Sequence, residues 1–318
     1  MKGESFMKKI FLTLLVCSVM ICGCSIKTSN IDEKKAGNYI TFNVTKEENT
    51  SLTMYNYYYD IDSKKLELMA EIPYESEYPL SVYDKKDNVV YYSKREKGKS
   101  DDNLYCLDLG TKKSTRLSHD FYAINNIIPL KDELYIAAVE KKQRPIGLYR
   151  YHDGKYERLL DNDDLFVSTI NHNPDIDTLY FNTYSESEMN KLFEENTTNN
   201  PIVKNQLFKL NYTNNEIKKI DETNPGDIEY LGINSNHEAF YKMLTSEVIY
   251  LNHGELEQKN VFDDLSISCI VYMNQDYLYF IDRSRKKLIE YDIKNKESST
   301  IYETDIDTAA INNAMVLQ

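Results

Sequence analysis

The sequence predicts an all-β domain, a six-bladed β-propeller closed by the C-terminal strand joining the N-terminal blade. Three observations predict it. A unit of four short strands recurs along the chain, the two chain ends hold complementary fractions of one more unit, and the strands carry tyrosine and branched aliphatics on both faces.

The clearest unit runs Asn88-Val-Val-Tyr-Tyr-Ser, a charged loop, Asn103-Leu-Tyr-Cys-Leu-Asp-Leu-Gly, then Lys113-Ser-Thr-Arg-Leu-Ser. Copies follow at Glu133-Leu-Tyr-Ile-Ala-Ala, Thr178-Leu-Tyr-Phe-Asn-Thr, Ala239-Phe-Tyr-Lys-Met and Tyr277-Leu-Tyr-Phe-Ile-Asp. An apolar strand precedes each, such as Ile267-Ser-Cys-Ile-Val-Tyr, and Asp, Asn, Gly and Lys fill the turns. The period of about 40–60 residues suits propeller blades. The 27 tyrosines, with no tryptophan, read as packing between blades, because a tyrosine hydroxyl reaches solvent or a turn while its ring is buried.

The ends complete the count. Residues 39–72 offer three strands, and Ala309-Ala-Ile-Asn-Asn-Ala-Met-Val-Leu offers one with nothing after it. If that last strand pairs with the first, the ring closes and two open sheet edges disappear. The repeats then resemble the Tyr-rich six-bladed propellers grouped with TolB-like and YWTD-type domains, best over residues 88–118 and more weakly from about residue 39 onward. The chain departs from that pattern in having few glycines at its strand turns and no YWTD tetrad. The resemblance implies architecture and leaves function unassigned.

Before the repeats stands a different kind of segment. Met7-Lys8-Lys9 opens a basic start and Ile10 to Ile21 is uncharged, the length of a signal-peptide core and too short to cross a bilayer as a helix. Met1 to Phe6 adds no recognisable signal, so initiation at Met7 is open. Ile21-Cys22-Gly23-Cys24 resembles the lipobox of bacterial lipoproteins. The resemblance implies diacylglycerol on the Cys24 thiol, cleavage before it, and membrane attachment on the extracytoplasmic face through that lipid. Two acyl chains cross the threshold from transient to stable anchoring. A signal peptide cleaved without lipidation, or an uncleaved anchor, is the alternative. The expected organisation is a lipoprotein signal peptide at 1–23, a polar tether at 24–38 and one propeller domain at 39–318.

Composition narrows the function classes. Removing residues 1–23 takes away Lys2, Lys8, Lys9 and Glu4, so the formal charge moves from −13 to −15. Such a chain is not drawn to nucleic acid. Only Cys106 and Cys269 remain after Cys24, and five scattered histidines show no zinc spacing. No Gly-x-Ser-x-Gly elbow, phosphate loop or dinucleotide fingerprint is present, and no cofactor or metal is expected. Asp60/Asp62 and Asp161/Asp163/Asp164 read as turns, with calcium as the alternative.

Candidate contact residues fall in two places. A recurring Ile-Asn on the innermost strands puts Asn125, Asn171, Asn234 and Asn312 forward as weak ligand-binding amides, or else as partners of turn backbone and channel water. Three loops between second and third strands are enlarged: 93–102, 140–146 and 184–205. In the last, Ser185 and Glu188 make a capping-box pattern with Met189, Leu192 and Phe193 on one helical face, which either packs on its own blade or contacts a partner. The expected function is a lipid-anchored scaffold binding a protein, peptide or cell-wall glycan. The alternative is an extracytoplasmic glycan- or peptide-processing enzyme with its site at the channel mouth.

Overall fold

Six four-stranded antiparallel sheets follow one another, each packing on the next and the sixth returning to the first: the arrangement is an all-β propeller. The computed structural model describes residues 38–318 except 49–50, 77, 119–120, 142–144, 196–204, 222–227, 244–248, 253–255, 258–261 and 263–264. The expected leader, Cys24 and the tether up to residue 37 lie outside the described residues, as do parts of two enlarged loops. Gly37–Gln318 form one compact unit.

From the first sheet to the sixth, the innermost strands are Ala310–Leu317, Ser81–Asp84, Phe121–Leu130, Leu165–His172, Ile228–Ile233 and Ile267–Met273. The first sheet takes its innermost strand from the C-terminus, with Tyr39 opposite Leu317 and Ile40 opposite Val316. All of these strands except Ser81–Asp84 carry a register shift against their neighbour. One extra residue bends and twists a strand locally, which lets these strands converge on the axis without collision.

Strand direction divides the propeller into two faces. The turn face holds both ends of the described chain and the first-to-second and third-to-fourth strand turns. Four of these share one construction: Asp60 to Lys64, Asp108 to Lys112, Asn211 to Asn215 and Asp292 to Lys296. In each the first side chain accepts a backbone N–H two or three residues on, and the last residue takes positive φ near 57–59°. Asparagine and aspartate tolerate or cap such turns. That is why so few glycines suffice. The loop face holds the second-to-third loops and the connections between sheets.

Packing between sheets is aromatic. Tyr39, Phe42, Tyr135, Phe181, Phe240, Tyr279 and Phe280 are nearly or fully buried, and Phe42 of the first sheet meets Tyr302 of the sixth edge-on at 5.3 Å. Tyrosine hydroxyls end on polar partners across seams. That of Tyr39 receives the Lys85 N–H at 3.0 Å, and that of Tyr272 donates to Asp175 at 2.8 Å. Cys106 and Cys269, in the second and sixth sheets, are free thiols.

Candidate functional site

The loop face is built around three enlarged connections. The helix Glu186–Glu195 occupies the third, and Ser185 caps it by accepting the Glu188 N–H on Oγ at 3.1 Å. Asp164 adds a second cap, accepting the Ser187 N–H at 2.7 Å and the Ser185 hydroxyl at 2.6 Å. These bonds hold its carboxyl below the usual range and satisfy amides the helix leaves open. Asp163 pairs with Arg158, and Asp60 accepts from Tyr58 and Ser63, so the acidic clusters act as caps and turn locks. Among the described residues no group of three His, Cys, Asp or Glu could hold a metal ion.

Met189 and Leu192 are half-buried, while Phe193 is 56% exposed. Lys141 of the second enlarged loop reaches Asp101 of the first at 2.6 Å, which places those two loops side by side. Around them, six of the eight large apolar side chains exposed among the described residues stand at loop-face positions. These are Leu52, Tyr78, Tyr122, Phe193, Ile220 and Ile306; Leu66 and Leu68 lie elsewhere. Tyr122 is the second residue of the strand Phe121–Leu130 and Ile220 the last but one of the strand Glu216–Asp221, both at the loop-face ends.

On the axis is a cavity of about 220 Å³. Its floor is the end of the innermost strand of the fourth sheet, Asn171 and His172, with Asn173 just behind it. Asn171 donates to Ile270 O at 3.2 Å and accepts the Ile233 N–H at 3.3 Å. Asn173 donates to Met273 O at 3.2 Å. His172 Nδ1 lies 3.3 Å from Val316 O, and since a carbonyl only accepts, Nδ1 carries the proton. Burial pushes the His172 imidazole down to about 4, so it is neutral. Together these three side chains bolt the fourth sheet to the fifth, sixth and first, and His172 lines both the axial cavity and a pocket of about 190 Å³ on the turn face.

The four asparagines put forward from sequence do not form one ring. Asn312, near the loop face, donates to Thr45 Oγ1 at 2.9 Å. Asn125 falls on a register shift with its Oδ1 buried and without a hydrogen-bond partner. Asn171 belongs to the floor. Asn234 lies beyond its strand, where it donates to Glu238 and accepts the Asn236 and Glu238 N–H groups of a turn. The amides that line the cavity are instead Asn126, Asn171 and Asn313. Sequence reading missed His172, which is buried, and Arg285, which stands at the cavity mouth.

No family model matches the chain, and no curated protein sequence matches it. Solved structures do. A chain in the crystal structure of a nidogen/laminin complex superposes with a TM-score of 0.56 and 11% identity, covering 89% of this chain and 99% of that one. TolB from Acinetobacter baumannii superposes at 0.52 with 8% identity, covering 88% of this chain and 66% of that one. At such identities the likeness is one of fold, and the fold it shows is the β-propeller.

Proposed function

We propose that this chain is a lipoprotein, anchored through lipid on Cys24 to the extracytoplasmic face of the cell membrane. Its six sheets are the blades of a closed propeller, and it works as a binding scaffold without catalytic chemistry of its own. The partner docks on the loop face. One observation carries this reading: six of the eight large apolar side chains exposed among the described residues stand on the loop face. Apolar exposure concentrated on one face of a soluble domain marks interaction surfaces. The mixture of Leu52, Ile220 and Ile306 with aromatic rings favours a protein partner over a glycan, which would use aromatic platforms alone. The chain enters this unit at the turn face, opposite the proposed docking rim.

The test captures partners from membranes with the intact protein and with a Leu192→Ser/Phe193→Ser variant. The expected result is lipid labelling that disappears in Cys24→Ala, together with a specific protein recovered by the intact protein and lost by the double variant at unchanged melting temperature. Labelling that survives Cys24→Ala overturns the anchor. A double variant that melts several degrees lower yet captures normally overturns the docking face and makes the helix a packing element.

A further inference from the structure

We infer that the axial cavity is a binding site for a small monocarboxylate with an apolar body, of the kind presented by the C-terminus of a short peptide, and that Arg285 is its anchor. The site does not depend on the outer rim of the loop face, and either can fail without the other.

Among the described residues Arg285 is the one charged side chain lining the cavity, since His172 is neutral, and no carboxylate lines it. Its side chain is exposed at the loop-face end of the cavity. The guanidinium is positioned but not neutralised. Its Nε donates to Ile311 O at 3.1 Å and its Nη2 to Asn312 Oδ1 at 3.5 Å, and no carboxylate pairs with it among the described residues. The nearest acid in sequence is already committed. Asp282 Oδ1 accepts the Lys286 and Lys287 N–H groups and Oδ2 accepts the Ser284 N–H, so Asp282 shapes the turn that holds Arg285 instead of cancelling its charge. Lys286 and Lys287 are matched by Asp307 and Glu303. Arg285 is left as the unmatched charge.

An ionised acceptor at this point gains charge-assisted hydrogen bonds that neither water nor the backbone carbonyl supplies. Deeper in, Ile170, Ile270, Val271 and Met315 offer an apolar wall, with Asn126 and Asn313 as amide partners. A volume of about 220 Å³ corresponds to several waters at ~30 Å³ each, the size of a short peptide end. One unmatched cation balances one negative charge. Inorganic phosphate at neutral pH is a mixture of mono- and dianion, and the dianion would bring an uncompensated charge against the aliphatic wall.

The full-length protein in detergent is titrated calorimetrically with N-acetyl-alanyl-alanine and with its C-terminal amide, for the natural chain, Arg285→Gln and Arg285→Lys. Saturable binding of the acid is expected, with the amide ten- to a hundredfold weaker. Arg285→Gln should bring the acid down to the level of the amide without changing amide binding, and Arg285→Lys should fall between. Inorganic phosphate at equal concentration should not compete. Equal binding of acid and amide, an Arg285→Gln variant that keeps the preference, displacement by phosphate, or no saturable binding of the acid overturns the assignment. Should Arg285→Gln fail to fold, the acid–amide difference in the natural chain and its reduction in Arg285→Lys decide, and an undiminished difference in Arg285→Lys overturns the assignment.

Discussion

The turn face and the loop face are made from opposite ends of the same strands, and they solve opposite problems. On the turn face, cations and hydroxyls cross from sheet to sheet. Lys64 contacts Glu290, Lys85 reaches the Tyr58 hydroxyl at 2.8 Å, Lys86 contacts Asp132, and Lys131 sits 4.9 Å above the Tyr212 ring. Tyr180 meets His237 at 2.9 Å, and Tyr272 meets Asp175. Single exposed pairs of this kind contribute little, but each here joins two sheets and several lie over buried rings. On the loop face the side chains that stand out are apolar, and the longest connections lie there. Length beyond what a turn needs costs ordering entropy without improving the sheet. The comparison teaches that polar contacts between sheets and exposed apolar side chains are segregated by strand direction, the former on the turn face and the latter mostly on the loop face.

The severest way to break the comparison is to remove the strand on which ring closure depends. Deleting residues 310–318 takes away Ile311, Met315, Val316 and Leu317, all buried, and leaves the strand Tyr39–Glu48 as an open edge. At about 1.5–3 kcal/mol per buried side chain the loss approaches the whole stability of a typical domain. It also removes the carbonyl that holds His172. Thermal melting followed by circular dichroism should show no cooperative transition, with aggregates on gel filtration. An undiminished transition in the truncated chain would rule out closure by the C-terminal strand.

A smaller effect comes from pH. The unfolded chain takes up a proton on His172 near 6.5, whereas the folded chain does so only near 4. Between those values the unfolded state binds more protons, so this contribution is intact above about pH 6.5 and is lost as pH falls toward 4, by on the order of 3 kcal/mol. The groups facing the imidazole are Val316 O, Asp175, Asp177 and the Tyr212 ring. Asp84, across the turn-face pocket, acts in the other direction. Burial raises its carboxyl, so protonation there favours the folded state as pH drops and trims the loss at the acid end. Urea midpoints between pH 7.5 and 4.5 should slope downward with acid, and His172→Gln should flatten that slope. An equal slope in both proteins would mean that His172 is not the group responsible.

Which parts of this were legible in the sequence follows from how local each signal is. Strand positions were, because each strand declares itself through a few consecutive tyrosines and aliphatics between Asp, Asn and Lys turns. The helix was legible through Ser185 and Glu188, but its second cap was not, since Asp164 lies 21 residues before Ser185 and is brought close by strand pairing. The Ile-Asn recurrence misled in depth. Register shifts move Asn125 and its counterparts to different levels of the axis, so identical dipeptides meet different neighbours. The floor of the cavity was written as Asn171-His172-Asn173, a polar run at the end of an apolar strand, which in sequence looks like the start of a loop. Arg285 was hidden inside Arg283-Ser-Arg-Lys-Lys, where nothing local says which cation lacks an acid.

The finest test of the contrast between faces asks the same substitution of one tyrosine on each. Tyr212, on the turn face, donates to Ile176 O at 3.2 Å, stands under Lys131, and lies 6.0 Å from the His172 ring. Replacing it with serine removes a ring from between two sheets and one of the two hydrogen bonds that Ile176 O accepts, which should cost about 2–4 kcal/mol. Tyr122, on the loop face, is 50% exposed and makes none of these ring contacts. If it is there for a partner and not for the fold, Tyr122→Ser should change unfolding stability by no more than about 0.5 kcal/mol, the range of ordinary surface substitutions. Urea denaturation of both variants measures the difference directly. A Tyr122→Ser variant as damaged as Tyr212→Ser would mean that the exposed apolar side chains support the innermost strands, and that the two faces differ in chemistry but not in purpose.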